Sequence, residues 1–274
     1  MDEAELLFTG ILNCDRQGLY LNRKAILRKA QARVIGQALR RRMKGEPLQY
    51  ILGKTEFMGM EFRVGPGVFI PRPETEILVE KVIDLVTSHK SEVTGLNILD
   101  IGTGSGNIAI SLAKFLKNCT VVAMDISQEA ILVAKNNAIL NKVEREVDFI
   151  NQDFFNLRPA TCNLRPFSFN LIVSNPPYIP TGEIDGLQPE ISYEPRLALD
   201  GGSDGLDFYR RIIRESGDYL EKGGFLIMEM GFNQYPRIEE IFRDLGKFDI
   251  IEAIRDYNHI NRVVIAQYVS SAEG

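Results

Sequence analysis

Between Asn97 and Ser174 the chain repeats one pattern: a short run of consecutive apolar residues, then a longer stretch whose apolar residues recur at helical spacing. A strand buried on both faces reads as such a run, and strands separated by helices pair in parallel. The pattern predicts strands over 97–101, 120–125, 147–152 and 170–174, with helices over 107–114 and 128–141. Further strands are expected over 224–230, 248–254 and 262–267, making seven, and further helices over 206–220 and 234–245. The expectation is an α/β domain, a parallel sheet covered by helices on both faces. With 274 residues, 45% of them hydrophobic, the chain can fill that core and carry a second, smaller unit.

Residues 1 to about 50 have a different texture. Ala4, Leu7, Phe8 and Ile11 fall at helical spacing, as do Ile26, Ala30, Val34, Ala38 and Leu39, and nothing there resembles a strand. From Thr55 to Pro71, short runs rich in Phe, Met and Val are broken at Gly59 and at Gly65-Pro66-Gly67, which predicts a hairpin. A helix starts near Pro73-Glu74, where proline fits the first turn and acidic residues face the positive helix end. The expected units are a helical domain over 1–54, a β-hairpin linker over 55–72 and the α/β domain over 73–274. Charge is uneven across them. Residues 16–54 carry eleven Lys and Arg against Glu46 alone, about +10, in a chain whose net charge is −5. A docking face and a plain solvated face both accommodate that excess.

The acidic balance argues against a protein that binds mainly by neutralising phosphates. No apolar run approaches the roughly 20 residues that cross a bilayer, and the acidic Met1-Asp2-Glu3 start is no signal sequence, so a cytoplasmic protein is expected. Cys14, Cys119 and Cys162 have no CxxC spacing, and two histidines are too few for a metal cluster. The three thiols are expected to be reduced packing residues.

Asp100-Ile101-Gly102-Thr103-Gly104-Ser105-Gly106 ends the first of these strands and opens a helix, so its glycines let backbone approach a ligand at the carboxyl edge of the sheet. A nucleotide-like cofactor is implied, although the spacing is GxGxG rather than the GxGxxG of pyrophosphate sites. A turn required only by strand-to-helix geometry would use the same glycines. Asp125 ends the second strand, where a carboxylate can accept hydrogen bonds from both ribose hydroxyls. It could instead cap the helix at Gln128, a role for which Ser127 competes. After the third strand, Asp153-Phe154 offers an acceptor for an adenine amino group and a ring to stack on the base, or else a polar turn with a core phenylalanine.

Asn175-Pro176-Pro177-Tyr178 follows the fourth strand. Two prolines fix the backbone there, so the Asn175 side chain and the Pro176 carbonyl can point at one spot and accept both hydrogens of an NH2 group. Tyr178 adds a flat surface for a planar amide or base. A rigid strand-ending turn explains the prolines but not the asparagine and tyrosine together. An amide nitrogen, its lone pair delocalised into the carbonyl, is a poor nucleophile, so positioning must supply much of the rate. S-adenosylmethionine (SAM) brings a positively charged sulfur and a ready leaving group, and asks the protein chiefly for in-line alignment. Asn175, Pro176 and Tyr178 are the residues expected to carry the chemistry.

These motifs, with Phe69-Ile70-Pro71-Arg72-Pro73-Glu74-Thr75-Glu76 before them, resemble the HemK/PrmC family, the release factor glutamine methyltransferases. The likeness continues through Tyr193-Glu194-Pro195, Leu199-Asp200-Gly201-Gly202, Asp204-Gly205-Leu206, Glu229 with Gly231, and Asp256 with Arg262. It implies a seven-stranded SAM-dependent methyltransferase domain of the class I, Rossmann-like kind, behind a small helical domain and a hairpin. The implied substrate is the glutamine of the Gly-Gly-Gln motif in peptide chain release factors, methylated at its amide nitrogen N5, with S-adenosyl-L-homocysteine as product.

Position by position, the resemblance sets Gly102, Thr103, Gly104, Ser105 and Gly106 against the methionine part of SAM. Asp125 takes the ribose, Asp153 and Phe154 the adenine, and Asn175, Pro176, Pro177 and Tyr178 the glutamine, with Asn175 also beside the cofactor. The segment 71–76 lies next to the site, as a helix start or as a contact to cofactor or substrate. Family members usually carry another helix before the stretch like Glu3-Ala4-Glu5-Leu6-Leu7, so the small domain is expected to be incomplete. Some relatives have tryptophan where Phe154 stands, which preserves stacking. A monomer acting on a protein, with nucleic acid not its main substrate, is expected. The alternatives are a ribosomal-protein glutamine methyltransferase and a nucleic-acid amino methyltransferase of the N6-adenine type. A dehydrogenase or a non-catalytic nucleotide-binding module leaves residues 175–178 unexplained.

Overall fold

A computed structural model of the protein describes residues 2–88, 95–157 and 168–269; Cys162 lies outside them. The chain opens with α1 (Glu3–Leu12), α2 (Arg16–Leu21), α3 (Lys29–Arg42) and α4 (Leu48–Leu52). Asp2 and Glu5 close a reciprocal capping box at the start of α1, and Asp15 caps α2. Their small core is Leu7, Ile35, Ala38 and Leu48. The expected stripe on α3 is corrected here. Ile26 precedes the helix and is 97% exposed, Val34 and Leu39 face solvent, and the inward side is set by Ile35 with Ala38, one turn apart.

Strands β1 (Lys54–Phe57) and β2 (Met60–Arg63) pair antiparallel, with Phe57 opposite Met60. Met58 and Gly59 both take positive φ, 51° and 70°, as a two-residue turn between right-twisted strands requires. Phe57 and Phe62 enter the main core, and Arg63 exchanges two hydrogen bonds with the buried Asn137 side chain. The hairpin is thereby fixed to the larger domain rather than swinging free of it.

That domain runs α5 (Pro73–Ser88), β3 (Leu96–Ile101), α6 (Asn107–Phe115), β4 (Cys119–Asp125), α7 (Gln128–Asn141), β5 (Val147–Asn151), β6 (Phe169–Ser174), α8 (Asp207–Ser216), β7 (Leu220–Glu229), α9 (Tyr235–Leu245), β8 (Phe248–Arg255) and β9 (Asn261–Tyr268). The seven strands lie in the order β5-β4-β3-β6-β7-β9-β8. The sheet and its helical preface match the architecture that the family resemblance implied. One correction concerns direction: β9 runs antiparallel to both β7 and β8, so the sheet is mixed. The few residues from Asp256 to Ile260 leave no room for a crossover helix, and a short connection can only reverse the strand. A second correction is that α8 stops at Ser216, because Leu220 already pairs with Phe169 as the first residue of β7.

One apolar core lies under α5, α6 and α7, and another under α8 and α9. Strand order reverses direction between β3 and β6, so the connections leaving these two neighbours part at their carboxyl ends and open a crevice.

Candidate active site

The crevice begins with the loop between β3 and α6. Gly102, Gly104 and Gly106 have φ of 75°, 55° and 84°, a region open to glycine at no steric cost. Nothing lies within 4 Å of where a side chain on Gly102 or Gly104 would begin. On Gly106 it would meet Ile110 Cδ1 at 2.8 Å and Ala134 Cβ at 3.1 Å. Gly106, expected against the cofactor, therefore lets α6 pack closely on α7. The Met124 carbonyl accepts from the Gly102 and Thr103 amides, at 2.9 Å each, tying the loop to the end of β4.

Asp125 Oδ2 accepts from the Gly104 amide at 2.9 Å, and Oδ1 from the Ser127 amide at 2.8 Å. Ser127 itself caps α7 through Ala130, so Asp125 is not the helix cap. Burial raises its carboxyl above the usual range, and the two amides oppose the rise. Beneath the loop, both oxygens of fully buried Asp100 and the Thr103 hydroxyl have no hydrogen-bond partner among the described residues. Burial pushes the Asp100 carboxyl up to about 7, against the neighbouring Thr103 hydroxyl and Ala109 amide.

Asp153 closes its own turn, accepting from the Phe155 amide at 3.0 Å and from Asn156 Nδ2 at 2.9 Å. Phe154 is 3% exposed and packs on Tyr219, although part of it reaches the crevice. Lining residues that escaped the sequence reading include Phe155, the Arg211 guanidinium stacked 3.6 Å above its ring, and Phe208. The doubled aromatic at 154–155 was the available signal, since one ring packs inward and its neighbour is left at the surface.

On the other side β6 ends at Ser174, whose hydroxyl donates to the Ile101 carbonyl at 2.8 Å. Asn175 Nδ2 donates to Thr75 Oγ1 at 3.1 Å, leaving Asn175 Oδ1 and the Pro176 carbonyl without donors from the described residues. Tyr178 is held from three directions. Gln234 Nε2 donates to the Tyr178 carbonyl at 2.8 Å and to the Gly205 carbonyl at 3.2 Å, while Gln234 Oε1 accepts from the Gly231 amide. A side chain on Gly201, Gly205 or Gly231 would begin within 2.8 Å of a Tyr178 atom, so these glycines are needed for close approach. Burial, with Glu229 nearby, pushes the Tyr178 phenol up to about 12, so it stays protonated. Gln234 was not expected; a lone polar residue just after Gly231 carried too little signal.

The two sides enclose a cavity of about 350 Å³, within the range of ligand sites. Gly102 to Ser105, Asp125 and Asp153-Phe154 form one wall, Asn175 to Tyr178 the other, with Pro71 and Thr75 between. Of the expected site residues, Gly106 alone is not part of the wall. Arg72 pairs instead with Glu194, which also accepts from the Ile70 amide. In the basic stretch, Arg41 pairs with Glu46, and Arg42 with Glu3 and with Glu190 beyond the clasp. Cys14 and Cys119 are free thiols. Among the described residues no helix is long and apolar enough to cross a membrane.

Two family models match, one described as PrmC N-terminal domain over residues 1–53 and one as methyltransferase domain over 92–241. The release factor glutamine methyltransferase of Fusobacterium nucleatum is 40% identical over 99% of this chain and 74% of its own length. That of Geobacter sulfurreducens is 43% identical over 96% and 87%. Among solved structures, human methyltransferase 10 domain containing protein matches with a TM-score of 0.56, covering 77% of this chain and 88% of its own. At 18% identity it shares the fold alone. With about 40% identity to such enzymes along nearly its whole length, the chain belongs to the release factor glutamine methyltransferase family.

Proposed function

We propose that this enzyme transfers the methyl group of SAM to the side-chain amide nitrogen, N5, of the glutamine in the Gly-Gly-Gln motif of a peptide chain release factor. The observation that carries the reading is one cavity with a glycine-and-carboxylate cradle on one wall and two unused carbonyl acceptors, Asn175 Oδ1 and the Pro176 oxygen, on the other. The cradle fits SAM: open space stands over Gly102 and Gly104, and the orphaned oxygens of Asp100 and Thr103 lie beneath them. Gly102 to Ser105 hold the amino-acid end, Asp125 the ribose, and Asp153 with Phe154 the adenine, where Phe155 and Phe208 add flat surface. Bound there, SAM supplies an electrophilic methyl carbon on a positively charged sulfur.

The protein's own work is alignment. Asn175 Oδ1 and the Pro176 carbonyl accept the two N–H hydrogens of the substrate amide and fix its nitrogen in line. As positive charge develops on that nitrogen the same hydrogen bonds strengthen, which lowers the barrier without deepening the ground state. The neutral Tyr178 ring lies along the amide plane. As the N–CH3 bond forms, the nitrogen gives up one of these two protons to water, and no nucleophilic side chain is required.

Residues 1–54 serve as the docking domain and 55–72 as its linker, joined to the catalytic unit through the Arg42–Glu190 pair and the Tyr193 hydroxyl, which donates to the Lys44 carbonyl. Such a substrate implies work in the cytoplasm. The test is incubation with labelled SAM and purified release factor, DNA and ribosomal RNA. One added methyl group, mapped by mass spectrometry to a single release-factor glutamine, is expected; label found only in nucleic acid refutes the proposal.

A further inference from the structure

Adenine is flat, so the end of the cavity that receives it needs a flat wall, and a wall at a cavity mouth needs something behind it. Phe154 is spent largely on the core, 3% exposed and packed on Tyr219 at 5.4 Å between ring centroids. Its neighbour Phe155 is only half-buried and lines the cavity. The Phe155 backbone is fixed, because its amide donates to Asp153 Oδ1 at 3.0 Å. Two rings touch the Phe155 ring, Phe154 at 5.5 Å and 69° and Phe208 of α8 at 5.9 Å and 45°, and neither lies flat on it. The flat contact comes from Arg211, whose guanidinium carbon Cζ stands 3.6 Å from the ring centroid.

Helix α8 puts Arg211 in that place. Phe208 and Arg211 are three residues apart, share one side of the helix and both line the cavity, while Tyr209, Ile213 and Ser216 are buried. Arg211 is exposed, yet it forms no ion pair or hydrogen bond among the described residues. Glu215, one turn further on, feels its charge without pairing with it. A cation over a phenyl ring at an exposed site adds little to stability, so packing alone does not call for arginine here. What arginine offers is shape: a guanidinium is planar and stacks on a ring, whereas the ammonium of lysine is a point charge.

We propose that Arg211 is a positioning residue for the cofactor, which, stacked on one face of Phe155, holds that ring as the wall against which the adenine of SAM lies. A ring has two faces, and with one taken by Arg211 the other is left for the base. This deepens the proposed reaction and rests on its placing of the adenine beside Asp153 and Phe154.

The experiment measures, by calorimetric titration, affinity for SAM and for 5′-methylthioadenosine, which keeps the adenosine and lacks the amino-acid end. It compares wild type, Arg211→Ala, Arg211→Lys, Phe155→Leu and the double variant Arg211→Ala/Phe155→Leu, with thermal melting to verify folding. Arg211→Ala should raise Kd roughly 5- to 10-fold, by the same factor for both ligands, because only the adenine end is touched. Arg211→Lys, which keeps the charge and loses the plane, should recover little of that loss. The double variant should bind no more weakly than Phe155→Leu alone, since Arg211 acts through the ring. Four results overturn the proposal: a folded Arg211→Ala enzyme with Kd within about twofold of wild type, a loss for SAM well beyond that for 5′-methylthioadenosine, full recovery in Arg211→Lys, or losses that add in the double variant. If Phe155→Leu does not fold, the two Arg211 variants decide alone. Wild type that fails to bind SAM refutes the functional reading itself; wild type that binds SAM, with the variants unaffected, sinks only the role of Arg211.

Discussion

Replacing Gly231 by alanine tests whether the clasp depends on exact placement of Tyr178. The new Cβ would start 2.8 Å from Tyr178 Cδ2 and 2.6 Å from Gln234 Oε1, where 3.4 Å is ordinary contact. Gly231 does not take positive φ, so alanine adds no backbone strain and the effect is steric. Either the Tyr178 ring retreats by about half an ångström, or Gln234 releases the Gly231 amide and loosens its hold on the Tyr178 carbonyl. Gly201 and Gly205 lie close against the Tyr178 backbone, so the residue cannot retreat as a whole. Displacements approaching 1 Å cost about 10²-fold in rate, so a fall in kcat of roughly 10- to 100-fold is expected. SAM affinity should stay within about twofold, since Gly231 and Gln234 are not part of the cavity wall. Gly65→Ala, at a glycine with open space and no positive φ, is the inert control. Steady-state methyl transfer to intact release factor and calorimetric titration with SAM measure the two quantities. A folded Gly231→Ala enzyme with kcat within twofold of wild type would show that ring placement does not limit the reaction.

Asn175→Ala removes one of the two acceptors and should lower kcat by about 10²-fold or more with SAM affinity little changed; equal losses in both would contradict the assigned role. Arg42→Glu breaks the pairs with Glu3 and Glu190 and should cost about 1 kcal/mol in urea melts, with Glu190→Arg restoring part of it; no loss would mean the pairs carry nothing. The triple reversal of Arg40, Arg41 and Arg42 would disturb those contacts and the Arg41–Glu46 pair, so Arg40→Glu alone is the cleaner probe of docking, read as a rise in KM for intact release factor. Asp100→Asn should shrink the pH dependence of stability between about pH 4 and 7. The folded Asp100 carboxyl, at about 7, lies above its ordinary 3.8, so its contribution is complete below 3.8 and lost as pH rises through 7, at most on the order of 4 kcal/mol. An undiminished pH dependence in the variant would assign that slope to other groups.

What was legible in the sequence follows from how local each signal is. The seven strands stand out because each is an apolar run bounded by polar residues, and residues 175–178 because four neighbours in sequence make the clasp. Strand direction was not local: the alternating pattern that marks β3 to β6 as parallel says nothing about β8 and β9, whose tight connection decides it. The inward face of α3 was misjudged because Val34, Ile35, Ala38 and Leu39 are all apolar, and only packing against Leu7 and Leu48 selects among them. Gln234, Arg211 and Phe208 escaped because each becomes part of the site through a partner more than twenty residues away in the chain.

The prolines that make the clasp rigid also make it unable to hold itself. Pro176 and Pro177 have no amide hydrogen, so at the point where β6 ends the backbone can donate nothing to a neighbouring strand. Support has to come from elsewhere. It arrives as a bridge between Ile179 and Asp200, the Gln234 amide on the Tyr178 carbonyl, Thr75 behind Asn175, and three glycines that let these segments close in. The stretches around 75, 200 and 231 are among those through which the sequence resembles its family, yet none belongs to the clasp in chain order. Their common task is to lend a strand end the order that its own backbone cannot supply, which is why substitutions there should lower turnover while leaving the cofactor cradle intact.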